Sequence, residues 1–186
     1  MIPKIYECLG NDHLSPIFSY ALVTKKKTVA TNAHVLIAHN TRELFGKQFV
    51  NDLPSVGILL DYNVLKDMAK KDVTEIRLNG QIEVTHQPRK TSKETVTSFF
   101  TYQTEEKLGT NFPDWEAVMP EKNENDPPVC IGINAKLLLV VQNALGPDNI
   151  GVKCYFSGTN KAILCEPFNT LFESAIGIVM PLMFSV

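Results

Sequence analysis

Apolar and polar residues alternate with a period of two along most of this chain, the signature of strands half-buried on a sheet. Ser15–Thr24 and Thr28–His39 read as two strands joined by the hairpin tip Lys25-Lys26-Lys27. Val73–Leu78 and Gln81–His86 flank Asn79-Gly80, a pair that supplies the positive φ angles of a two-residue type I′ turn. Thr95–Gln103 is a further β-branched and aromatic strand. Gly151–Phe156 and Lys161–Glu166 form a hairpin across Ser157-Gly158-Thr159-Asn160, and Ser174–Met183 is a last strand.

The period changes to a helical one in two places. Tyr62–Lys71 follows Asp61, whose carboxylate can cap the first free amides. Val64, Leu65, Met68 and Ala69 fall on one face of this helix, leaving Lys66, Asp67, Lys70 and Lys71 on the other. The second helix starts at the N-cap Asn134 and runs to Leu145, where Gly146-Pro147 stops it. Its Leu137, Leu138, Val141, Ala144 and Leu145 make a broad apolar face. Only these two helices are expected. Each follows a short apolar strand, Val56–Leu60 or Val129–Ile133, and precedes a hairpin and one more strand. A β-α-β-β-β unit therefore occurs twice, in Leu53–Gln103 and Val129–Met183, and Met1–Asn40 looks like the same unit with its helix missing. The polar stretch Glu121–Pro128 is the linker candidate. The expected fold class is α+β, with antiparallel sheets packed on helices.

Composition narrows the functional classes. A chain of 186 residues can bury one core or two small ones. A hydrophobic fraction of 44% and a charged fraction of 20% are ordinary for a globular protein. The net charge of −2 gives no global attraction to nucleic acid, so DNA contact would need a local basic face. Cys8, Cys130, Cys154 and Cys165 form no C-x-x-C pair and are not spaced with the histidines as metal ligands are, so no metal or cofactor is expected. Cys154 and Cys165 lie in strand-like runs, where a free cysteine acts as a small buried apolar residue. With no signal peptide and no membrane-spanning run, the chain reads as cytoplasmic, with reduced thiols and no membrane partner.

Catalysis has little support. No G-x-S-x-G, H-E-x-x-H or phosphate loop is present. His34 and His39, five apart on one expected strand, would point to opposite faces. Asp114 and Glu116 flank Trp115 in a turn. No catalytic residue is assigned.

Three separated segments carry the most information: Thr28–Leu36 (TVATNAHVL), Asn111–Pro120 (NFPDWEAVMP) and Ile176–Met183 (IGIVMPLM). In this order they resemble the β subunit of bacterial DNA polymerase III, the sliding clamp, with its T-D-G-H-R-L, F-P-D-Y…V-x-P and terminal V-M-P-M-R-L segments. The resemblance implies a DNA-clamp-like fold of β-α-β-β-β units and a truncated, divergent member about half the usual length. Residues 1–121 would correspond to the clamp's middle domain without its first helix, and residues 122–186 to the second half of its last domain.

What the resemblance implies about function is non-enzymatic: a DNA polymerase processivity or accessory factor. In the family the three segments converge on a pocket for short peptides of polymerases and repair proteins. Carried over, that pocket comprises Thr31, Ala33, His34, Val35 and Leu36, then Pro113, Ala117 and Val118, then Ile178, Val179 and Met180. The bland reading of the same residues is strand packing between two half-domains. Departures are concentrated here: Asn32, Ala33 and Val35 replace an acidic residue, a glycine and an arginine, Ala117 replaces an arginine, and the last turn loses another. An apolar floor is kept while the cationic rim goes.

The family's helices present lysine and arginine to double-stranded DNA without reading sequence. Here the corresponding contacts would be Lys66, Lys70, Lys71 and Lys136. Their alternative reading is a solvated helix face carrying an Asp67–Lys71 pair, and Lys25–Lys27 read as a solubilising tip. Ring closure in the family's manner would need about four copies as a homo-oligomer. The competing function is a clamp-derived interaction module or decoy that binds peptides without encircling DNA.

Overall fold

The computed structural model describes residues 2–10, 15–88, 94–119, 131–158, 160–169, 172 and 174–182. The linker candidate 121–128, the position of Cys130 and the 121/122 boundary lie outside the described residues.

Among the described residues, ten strands and four helices follow in chain order: β1 Tyr20–Val23, β2 Lys27–Thr31, β3 Val35–Asn40, α1 Thr41–Asp52, β4 Ile58–Asp61, α2 Tyr62–Met68, β5 Val73–Leu78, β6 Ile82–His86, β7 Val96–Phe100, α3 Glu105–Leu108, α4 Ala135–Leu145, β8 Val152–Tyr155, β9 Ile163–Pro167 and β10 Ile176–Val179. Two 3-10 turns, Ile5–Cys8 and Pro16–Ser19, precede them. The fold is α+β, as expected from the pattern.

Seven strands form one antiparallel sheet in the order β4-β1-β2-β3-β10-β9-β8, and β5-β6-β7 form a second. The larger sheet is continuous across the chain because β10 pairs with β3, with Val179 opposite Val35 and Ile178 opposite Leu36. Period-two alternation then sorts side chains onto two faces. One face carries Val23, Ile37, Leu60, Ile163, Cys165 and Val179, which join α1, α2, α4 and the Ile5–Cys8 turn in the main core. The other carries Val29, Leu36, Ala38, Leu59, Leu164 and Ile178, which meet Phe112, Trp115 and Ile17 in a second cluster. The two faces thus have separate cores.

Both expected helices form, with the caps expected of them. The Asp61 side chain accepts from the amides of Asn63 and Val64, and that of Asn134 accepts from Lys136. The α2 helix stops at Met68, short of Lys71, and its expected polar face is not all solvated. Asp67 is buried, paired with Lys70 and with His86 Nε2 at 2.9 Å. The ring's Nδ1 lies 3.2 Å from Asp72. Lys70 and His86 take the Asp67 carboxylate, so the Asp67–Lys71 pair is replaced by a Lys70–Asp67–His86 cluster.

Several expectations are corrected. The single strand Thr28–His39 is two, β2 and β3, separated by a turn in which Ala33 takes φ 69°. His34 therefore sits in a turn and not on a strand, while His39 is wholly buried. Ser15–Thr24 begins with a 3-10 turn before β1. The Asn79-Gly80 turn is a three-residue loop, because Leu78 pairs with Ile82. Only Gly80 has positive φ there, so it is not type I′. Of the expected strand Val129–Ile133, the described part contributes the bridge from Gly132 to Leu182.

Two helices were not expected. In α1 the non-helical Gly46, at φ 84°, divides the helix into two short pieces and breaks the apolar period. The buried residues Leu44, Phe45 and Phe49 hold it against β5 and β3. The α3 turn is only four residues long, capped by Thr104 and ended by Gly109 in the left-handed region. At the chain start a single 3-10 turn, Ile5–Cys8, packs between α2 and α4.

Candidate functional site: an apolar cavity at the strand junction

The β2–β3 turn is built by its own side chains. Asn32 Oδ1 accepts from the amides of His34 and Val35, each at 3.0 Å. Thr31 Oγ1 donates to the Val35 carbonyl at 2.8 Å and accepts from the Ala33 amide at 3.2 Å. An asparagine here supplies the same acceptor oxygen that an aspartate would. Ala33 reaches the left-handed region that favours glycine, at a cost of about 1 kcal/mol. The turn is then tied to the end of β10 by the Met180 amide donating to the His34 carbonyl at 3.2 Å.

Across the sheet, residues 111–119 return over the same face. The Phe112 amide donates to Glu105 and its ring is buried. The Ala117 amide donates to Asp114 at 3.3 Å, closing the turn that places Trp115 beside the sheet.

Between this segment, the β2–β3 turn and β10 lies a cavity of about 300 Å³. It is lined by Phe18, Thr31, Ala33, His34, Val35, Leu36, Pro113, Asp114, Trp115, Val118, Ile178 and Met180. All three informative segments reach it. Two carried-over residues do not: Ala117 is exposed outside it, and Val179 points to the opposite face, into the main core. Period two makes that unavoidable, since Ile178 already faces the cavity. Phe18, Asp114 and Trp115 are additions that the sequence reading passed over. Trp115 stands where the family motif has its aromatic, and that was the available signal.

The lining is overwhelmingly apolar, with His34 and Asp114 as its titratable side chains. Met180, Val118, Ala33 and His34 are exposed at the mouth, while Leu36, Ile178 and Thr31 form the buried floor. Such a slot can take one or two bulky apolar side chains, and its backbone edges offer hydrogen bonds.

The candidate DNA contacts lie on the helix side of the sheet. Lys66, Lys70, Lys71 and Lys136 are all exposed. Lys70 is ion-paired to Asp67, and Lys66 sits 5.2 Å from the centre of the Tyr62 ring. Lys71 follows α2 and Lys136 opens α4, two helices that share the Ile5–Cys8 turn as a neighbour. Burial holds the His39 imidazole neutral down to a pKa of about 4. Its Nε2–H donates to the Ala144 carbonyl at 2.7 Å, joining β3 to the end of α4. His34 and His39 thus belong to different faces. A wider recess of about 800 Å³ lies between α1 and β5, with Lys47, Arg77, Glu75 and Glu83 of mixed sign around Phe45 and Phe49. No described helix is long and apolar enough to cross a membrane.

This arrangement of strand pairing, helix layer and junction cavity has the fold of the bacterial sliding clamps. The Helicobacter pylori β clamp bound to a DNA ligase peptide superposes with a TM-score of 0.61 at 12% identity, covering 97% of this chain and 62% of that one. A Bartonella birtlesii sliding clamp (DNA polymerase III subunit β) bound to griselimycin gives 0.60 at 14%, covering 97% and 63%. The Pseudomonas aeruginosa DNA polymerase III subunit β gives 0.58 at 15%, covering 97% and 64%. The chain thus spans less than two thirds of the length of these clamps. Its sequence matches no protein-family model and no curated protein. At these identities the likeness is one of fold.

Proposed function

We propose that this chain is a non-enzymatic, clamp-fold accessory protein of DNA replication or repair that captures short peptides in the junction cavity. The observation that carries this reading is the convergence of three distant segments on one preformed apolar slot. The floor of Leu36 and Ile178 suits an aliphatic or aromatic anchor, and Met180 at the mouth can adapt to varied partners. A structural neighbour was solved with a DNA ligase peptide, which identifies the class of probe to use. Such a role would place the protein in the cytoplasm. The two regions 1–121 and 122–186 act, in this reading, as a clamp domain and a half-domain that share a sheet.

The test is fluorescence anisotropy with a labelled clamp-binding peptide from a DNA ligase or polymerase. Met180→Glu places a charge at the mouth and should weaken binding at least tenfold, on the order of 1.4 kcal/mol. Ala117→Arg, outside the cavity, should leave the floor intact. Absence of saturable binding by the unaltered protein would overturn the reading.

Encircling DNA is the less supported half of a clamp-like role. Lys66 and Lys71 are exposed on the helix side, but Lys70 is engaged by Asp67 and the chain carries a net charge of −2. These features favour the variant in which peptide capture is retained without DNA encirclement.

A further inference from the structure

The main core contains a pair of thiols that the peptide cavity does not use. Cys154 of β8 and Cys165 of β9 are directly opposite each other in an antiparallel register. Residues so placed project from the same face of the sheet. Their place in the ladder follows from the hydrogen bond at its end, where the Phe168 amide donates to Gly151 at 3.1 Å. Gly151/Phe168 is therefore a hydrogen-bonded pair. Alternation along the register makes Val152/Pro167 non-hydrogen-bonded, which suits a proline, and makes Cys154/Cys165 non-hydrogen-bonded as well. In such pairs the Cα atoms approach to about 4.5 Å and the side chains are closer than elsewhere in the ladder. That separation lies within the range a disulfide spans.

We propose that Cys154 and Cys165 form a reversible cross-strand disulfide, a redox site that ties the edge strand β8 to β9. The two residues differ as a reacting pair must. Cys165 is fully buried, and Cys154 is half-buried and open to a small oxidant. The thiol of Cys165 donates to the Ile163 carbonyl at 3.8 Å; its proximity brings the Cys154 thiol down to about 7, while the neighbouring Cys154 and burial push Cys165 up. Cys154 is thus the attacking thiolate. Burial pushes the Cys8 thiol up and leaves it inert.

The co-reactant is a small-molecule disulfide. The Cys154 thiolate attacks one of its sulfurs, forming a mixed disulfide and expelling one thiolate. Cys165 then attacks Cys154 Sγ, its proton passing to the departing second thiolate as the cross-strand bond forms. Two protein thiols are oxidised, and one small disulfide is reduced to two thiols. The bond lies on the helix face of the sheet, opposite the cavity face that carries Leu164 and Ile178. Its effect falls on β8, an edge strand of the larger sheet.

The experiment equilibrates the full chain with oxidised and reduced glutathione, traps free thiols by alkylation, and maps the peptides by mass spectrometry. The expected result is a linked pair of peptides containing Cys154 and Cys165, reversed by excess reduced glutathione, with slowed amide exchange in β8. C154S should leave Cys165 unlinked and alkylatable only on unfolding. This half-buried position keeps the test usable should C165S fail to fold, which circular dichroism would reveal. Recovery of Cys154 joined to Cys8 or Cys130, separate glutathione adducts on both cysteines, or no oxidation of the pair would each overturn the proposal.

Discussion

Ala33 and His39 show how single residues hold this junction. Ala33 carries a Cβ at φ 69°, where glycine is at ease. Ala33→Gly should therefore raise stability by about 0.5–1 kcal/mol in urea denaturation, without altering the hydrogen bonds that Thr31 and Asn32 make to the turn. His39 works through protonation. Its imidazole is held neutral in the folded chain, with a pKa lowered to about 4 by burial, against about 6.5 when unfolded. The unfolded chain thus binds the proton first as pH falls. The stability this residue contributes is complete above about pH 6.5 and is lost progressively down to about pH 4, by roughly 3 kcal/mol. Denaturation midpoints across that range should show the decline, and His39→Gln should flatten it.

Among the elements, β10 and α4 are the pair on which the cavity depends. Gly177 lets α4 approach the strand, since an added Cβ would lie 2.9 Å from Val141 Cγ1 and 3.1 Å from the Leu36 carbonyl. Gly177→Val should cost about 1–3 kcal/mol by overpacking, and should loosen the β3–β10 pairing that brings Met180 to His34. Chemical denaturation gives the first effect and peptide anisotropy the second. Elements of this kind were readable when their periods were clean. The α2 and α4 helices carry their caps and an unbroken apolar stripe, and β6 alternates strictly, with Ile82, Val84 and His86 buried on either side of the half-buried Glu83 and Thr85. By contrast, Gly46 disrupts the period of α1, whose helical pieces are stabilised by Phe45 and Phe49 packing against distant strands. The β2–β3 turn was invisible for a related reason. Thr31-Asn32-Ala33-His34 lacks the glycine or proline that marks a turn, and side-chain acceptors from Thr31 and Asn32 form it instead.

At the scale of the whole molecule, two open sheets raise the question of assembly. β7 is an edge of the smaller sheet, and it exposes Val96 at 54% and Phe99 at 60%. Edges of this kind invite pairing with another copy, so light scattering across a dilution series should report self-association if the chain closes a ring. A concentration-independent monomer would leave the module role standing. DNA contact has its own signature: association with a random duplex should weaken steeply with salt and vanish in Lys66→Glu/Lys71→Glu. The prediction from the sparse lysines is that such association is weak beside peptide capture.

The sequence alone determined the local elements with clean periods, the two helix caps and the three segments whose order pointed to the clamp fold. These are encoded by neighbours a few residues apart, where alternation, capping and steric preference act directly. Only the tertiary structure decided which side chains meet. It paired β3 with β10, turned Val179 into the core and Ile178 into the cavity, buried Asp67 against His86, and set Cys154 opposite Cys165. Those outcomes depend on strand register and on burial against other elements, which no local pattern specifies.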